Sequence, residues 1–103
     1  MADRLDIVQD LNYVMDRAPL PLLGELAQEF ELPLSFDNQV TTEEEIYNNT
    51  NVLVDAIVEA RCIGRVVLSM IDFAPSLDKF LSNELRASVA DYRKTLAGMY
   101  LIL

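Results

Sequence analysis

The 103-residue chain is half hydrophobic (51%) and strongly acidic, with 17 acids against 8 bases and a net charge of −9. Histidine and tryptophan are absent and Cys62 is the single cysteine, which excludes Ser-His-Asp and Cys-His catalysis, histidine-ligated zinc, cysteine metal clusters and any intrachain disulfide. A chain of this size builds one domain on one modest core, expected over residues 1–103, and its acidity opposes direct contact with nucleic-acid phosphates or anionic lipid.

The opening segment, MADRLDIVQD, carries acids where a signal peptide needs basic and then apolar residues. No apolar run reaches the roughly 20 residues of a membrane span, so a cytoplasmic protein without a membrane partner is expected. Asp3 is placed to cap a first helix, with Asp6 near the positive end of its dipole. Leu5, Val8, Leu11 and Met15 recur at helical spacing, widened by Ile7 and Val14. Pro19 and Pro21 predict a stop near Arg17.

PLLGELAQEFELP predicts a second, short helix, with Pro21 in its first turn and Pro33 ending it. Leu22, Leu23, Leu26, Ala27 and Phe30 share its apolar face, and Glu25 and Glu29 lie opposite. GELAQEFELPLS resembles the first helix of a helix-turn-helix, but the following FDNQVTTEE has no basic residue with which to read DNA. Residues 33–41 are expected to form a loop, locally extended at Leu34–Phe36.

A third helix is predicted to start at Thr41 or Thr42, since Thr42 with Glu45, or Thr41 with Glu44, matches a capping box. Asn48, Asn49, Thr50 and Asn51 are poor helix formers, and a kink or restart is expected there. From Val52 to Phe73 one strong helical pattern follows. Leu53, Ala56, Ile57, Ala60, Ile63, Gly64, Val67, Leu68, Met70 and Ile71 form a broad apolar face. Val54, Val58 and Val66 make the other face apolar too, as befits a central helix touched from more than one side. Arg61 and Arg65 stand one turn apart on this helix, expected to meet acids of the N-terminal helices.

Ala74–Ser76 is expected to be a tight connection, with Ser76 capping a last helix. That helix carries a heptad-like seam of Leu85, Val89, Tyr92, Leu96, Met99 and Leu103, extended backwards by Leu77, Phe80 and Leu81. Ser82 and Asn83 are placed to break it. The apolar tail MYLIL is expected to be docked rather than exposed.

The predicted fold is therefore all-α: two short N-terminal helices and a long antiparallel helical hairpin, a four-helix arrangement. At 1.5 Å per residue, residues 51–73 would span about 35 Å and residues 76–103 about 42 Å, more than two short helices can cover. A homodimer through the C-terminal seam, or an obligate partner covering it, is expected on that ground.

Metal chemistry fits the acids poorly. Consecutive glutamates on a helix point about 100° apart, so Glu43, Glu44 and Glu45 do not converge on one ion. The Glu-Glu-x-x-Glu pattern of all-helical nucleotide pyrophosphatases would need an acid at position 48, where Asn48 stands. No metal, cofactor or catalytic residue is expected. The charge is unevenly spread instead. Residues 1–60 hold thirteen acids and two bases, a balance of −11, whereas residues 61–103 hold four acids and six bases, a balance of +2.

This asymmetry predicts a non-enzymatic protein-binding module whose acidic surface docks on a basic protein. Inhibitors, antitoxins, immunity-type proteins and phage-encoded antagonists of nucleic-acid-binding machines have this character. Asp37, Glu43, Glu44 and Glu45, with Glu25 and Glu29, are the candidate partner-binding residues. The alternative is a helical assembly protein that oligomerises through its C-terminal helix.

Overall fold

The computed structural model describes residues 4–102, with side chains from 6 to 99. Five α-helices fill it: α1 Arg4–Met15, α2 Leu20–Glu29, α3 Glu43–Glu59, α4 Ile63–Phe73 and α5 Asn83–Ile102, with a 3-10 helix at Pro75–Phe80 before the last. No strand occurs among the described residues. The all-α class follows from the helical spacing of apolar residues, and the elements largely bury the residues that spacing selects. Leu11, Val14 and Met15 of α1, Leu22, Leu23, Leu26 and Ala27 of α2, and Leu53, Val54 and Ile57 of α3 lie in one core. Val66, Val67 and Met70 of α4 and Leu85 and Val89 of α5 continue it. The Asp3 cap lies outside the described residues.

The packing departs from a simple long hairpin. The run from Val52 to Phe73 is two helices, not one, because α3 stops at Glu59 and α4 starts at Ile63. Arg61 takes a left-handed backbone, φ 55°. Its N–H bonds to the Val58 carbonyl at 3.1 Å and the Cys62 N–H to that of Ile57 at 3.5 Å, the two bonds of a Schellman C-cap. The end of α2 repeats the device: Glu31 has φ 56°, with Glu31 N–H to Gln28 O at 3.0 Å and Leu32 N–H to Ala27 O at 2.9 Å. In both caps the left-handed site is filled by a residue other than glycine, and α2 ends at this cap after Glu29, not at Pro33.

The break at Arg61 sends the two halves of the expected central helix to different neighbours. α3 packs chiefly on α1, with α2 beside it, and α4 packs on α5 and on the 3-10 helix. The antiparallel pair at the C-terminal end is thus α4 with α5. Val54 and Val66 are fully buried although they oppose the main apolar face, because neighbours cover these helices on more than one side.

α3 runs unbroken through Asn48–Asn51, against the kink expected there. Two of these polar side chains have partners that suit a continuing helix. Buried Thr50 donates its hydroxyl to the Ile46 carbonyl at 2.8 Å, one turn back, and Asn49 donates to the Ser35 carbonyl at 2.9 Å in the preceding loop. The last helix starts later than Ser76 predicts. Ser76 lies within the 3-10 helix, and Ser82 Oγ accepts the Leu85 N–H at 3.2 Å at the start of α5. Leu77 and Leu81 still enter the core, but from the 3-10 segment and its exit rather than from α5.

A cation–aromatic contact ties the end of α1 to the 3-10 helix. Arg17 lies 3.6 Å above the Tyr13 ring and 5.3 Å from the Phe80 ring, and the two rings meet edge to face at 6.1 Å.

Candidate acidic interface

The N-cap of α3 places the glutamate triplet. Thr42 Oγ1 accepts the Glu45 N–H at 3.1 Å and donates to Glu45 Oε1 at 3.0 Å. The carboxylate therefore turns to the Thr42 hydroxyl, not to the Thr42 backbone N–H as in a full capping box. Glu43, Glu44 and Glu45 fill the first turn of α3, all exposed, where the helix dipole favours negative charge. Thr41, the other candidate cap, instead shares a hydrogen bond of 2.7 Å with the Ser35 hydroxyl.

The loop before α3 is folded on its own side chains. Phe36 is buried and anchors it to the core. Asp37 follows and is exposed, its Oδ1 accepting the Gln39 N–H at 2.9 Å, an Asx turn. The Ser35 hydroxyl accepts the Asp37 N–H at 3.3 Å, and the Asn49 bond to the Ser35 carbonyl fastens the loop to α3.

Between this loop and α2 lies a groove of ≈ 590 Å³, lined by Leu20, Pro21, Gly24, Ser35, Phe36, Asp37 and Asn38. A smaller cavity of ≈ 230 Å³ shares Leu20 with it and reaches Asp16, Glu43, Ile46 and Tyr47. Leu20 thus lines both hollows, one with Asp37 and the other with Asp16 and Glu43. No lysine or arginine lines either hollow, and residues 18–60 contain nine acids and no base at all.

Glu25 is exposed on α2, next to the Gly24 that lines the groove. Glu29 is different: it forms an ion pair with Arg65 of α4. The hydrogen bond that Arg65 donates to the Glu29 carboxylate raises the Arg65 pKa above its ordinary value, with burial opposing and the Glu29 charge adding to it. Part of the Glu29 charge is thereby satisfied within the molecule. Arg65 meets an acid of the N-terminal helices as expected. Arg61 does not share its helix face, because Arg61 sits in the left-handed break before α4.

The acids are not gathered like metal ligands; among the described residues no three of the ligating type converge. Where basic residues do face a hollow, acid is also present. The ≈ 510 Å³ groove at the α3–α4 corner is lined by Arg61, Arg65 and Cys62 but also by Asp91 and Tyr92 of α5. The Cys62 thiol there donates to the Ile57 carbonyl at 3.7 Å.

The C-terminal seam divides along its length. Leu85 and Val89 are buried in the chain's own core, Tyr92 and Leu96 are half-buried, and Met99 is 57% exposed. Met99, the first residue of the tail expected to dock, is thus uncovered. Leu103 lies outside the described residues. Among the described residues no helix is long and apolar enough to cross a membrane.

Reading from sequence did not assign Leu20, Pro21, Gly24 or Phe36, which line the groove, to any site. One local signal was present: a glycine in the middle of a short helix costs about 1 kcal/mol relative to alanine, and Gly24 stands there without a positive φ to require it. Comparison with protein-family models, with curated proteins and with solved structures finds no match to this chain.

Proposed function

We propose that the chain is a non-enzymatic binding module that presents the surface around Asp37, Glu43, Glu44, Glu45 and Glu25 to a basic protein. Such a partner includes proteins whose own basic surface binds nucleic acid, and the role is then that of an inhibitor, antitoxin, immunity-type protein or phage-encoded antagonist. The observation that carries the reading is the charge around the two hollows that share Leu20. Each of them is lined by at least one acid and neither by a base. Among the described residues no lysine or arginine ion-pairs with these five acids. An acidic patch not neutralised from within steers a basic partner and supplies its ion pairs. Glu29 contributes less, since Arg65 already holds it.

The test is affinity capture at low and high salt by the wild-type chain and by a variant carrying Glu43→Lys, Glu44→Lys and Glu45→Lys. Basic proteins retained by the wild type, released by salt and lost by the variant support the reading. Equal retention by both chains contradicts it.

A second reading, assembly through α5, has its own observation: the apolar seam leaves the core at Leu96 and Met99. Sedimentation equilibrium discriminates. A dimer or larger species that Leu96→Ser with Met99→Ser converts to monomer supports self-association, and a monomeric wild type removes it.

A further inference from the structure

The groove between α2 and the Asp37 loop is lined by Leu20, Pro21 and Phe36 together with one acid, Asp37, and no base, and Glu25 is exposed beside it on α2. Leu20 is half-buried, Pro21 exposed and Phe36 buried, and Asp37 stands on the rim. Gly24 leaves the space open: a Cβ built there meets nothing within 4 Å. The volume of ≈ 590 Å³ lies within the roughly 300–1,000 Å³ of sites that seat a ligand group. Beyond Leu20 the smaller cavity adds Glu43 and the exposed ring of Tyr47.

We infer that the groove seats one apolar side chain of the partner, carried on a segment with lysine or arginine on both sides of that anchor. The inference rests on the reading above that the acidic face binds a basic protein, and it adds what the charges do not supply. The Asp37 carboxylate and its exposed neighbour Glu25 attract any basic chain; a lining of Leu20, Pro21 and Phe36 distinguishes one with an apolar residue in register. Protein interfaces place their binding energy in this way, with an apolar anchor in a pocket and polar groups around it. The occupant is assigned by charge complementarity: a groove edged by Asp37 and Glu25 and lined by no base favours a basic segment and disfavours an anionic ligand.

The experiment uses two synthetic lysine-flanked peptides that differ only in a central leucine or serine, titrated against the full chain. The leucine peptide is expected to bind about tenfold more tightly than the serine peptide, from burial of one aliphatic side chain. Gly24→Leu adds a side chain to the groove wall at a position where a Cβ meets nothing within 4 Å, and is expected to bring the two affinities within about twofold of each other, near that of the serine peptide. Glu25→Gln with Asp37→Asn, which keeps an acceptor for the Asx turn, is expected to weaken both peptides by the same factor and leave their ratio intact.

Equal affinities for the two peptides in the wild type, with the charge effect retained, would overturn the groove assignment and leave the acidic reading standing. A leucine preference that survives Gly24→Leu would overturn it as well. Failure of the wild type to bind either peptide would overturn both. Circular dichroism of each variant confirms that the helices persist.

Discussion

Gly64 of α4 lies directly against the backbone of Ser88 in α5. A Cβ at position 64 would stand 2.9 Å from the Ser88 carbonyl carbon, closer still to its oxygen, and 3.0 Å from Tyr92 Cβ. The glycine lets the two helices approach backbone to backbone, which is what allows Leu85 and Val89 to be covered by α4. Gly64→Ala is expected to destabilise the fold by about 1–3 kcal/mol, because the obstacle is main chain and cannot turn aside. Gly98→Ala, in the same α5 but with nothing within 4 Å, is expected to gain up to about 1 kcal/mol from helix propensity. Urea denaturation of the two variants checks the contrast.

The break between α3 and α4 gives a second expectation. Arg61 holds φ 55°, a conformation that costs a side-chain-bearing residue about 1–2 kcal/mol and glycine little. Arg61→Gly should therefore raise stability by about 1 kcal/mol, measured as a rise in the denaturation midpoint at constant m. A loss of stability would mean that the arginine side chain holds the corner and not the backbone turn.

The same corner explains which parts of the fold could be read in advance. The Thr42 cap was legible because it is made within four residues, and so were the apolar stripes of α1 to α3. The stop at Arg61 was not, because the sequence offers neither glycine nor proline there; the turn is imposed by α4 finding α5. Propensity misjudged Asn48–Asn51 for a related reason. Asn49 has a partner in Ser35, 14 residues away, and such a bond cannot be inferred from local preference. The acids of the candidate interface were legible as charge, whereas the groove was not, because Leu20 and Phe36 come together only when the loop folds back onto α2.

Thr42→Ala is expected to cost about 1 kcal/mol, the usual loss on removing an N-cap oxygen. Thr41→Ala, which removes only an exposed hydroxyl contact with Ser35, should stay within about 0.5 kcal/mol. Thermal melts of the two single variants give the comparison.

The Glu29–Arg65 pair is exposed, with side chains 43% and 41% accessible. A double-mutant cycle with Glu29→Ala and Arg65→Ala is expected to yield a coupling below about 1 kcal/mol that shrinks as salt is added. A larger, salt-insensitive coupling would show that Glu29 is committed to the fold and should be removed from the binding surface.

The most direct test of the acidic interface holds net charge constant and moves only its location. One variant carries Glu43→Lys, Glu44→Lys and Glu45→Lys; the other carries Asp55→Lys, Asp72→Lys and Asp91→Lys, three exposed acids away from the groove. Binding of the lysine-flanked leucine peptide is measured by titration over a range of salt. The account predicts at least about a tenfold loss and a flattened salt dependence for the first variant, with a much smaller change for the second. Equal losses in the two variants would contradict it, since binding would then follow total charge and no particular face of the protein.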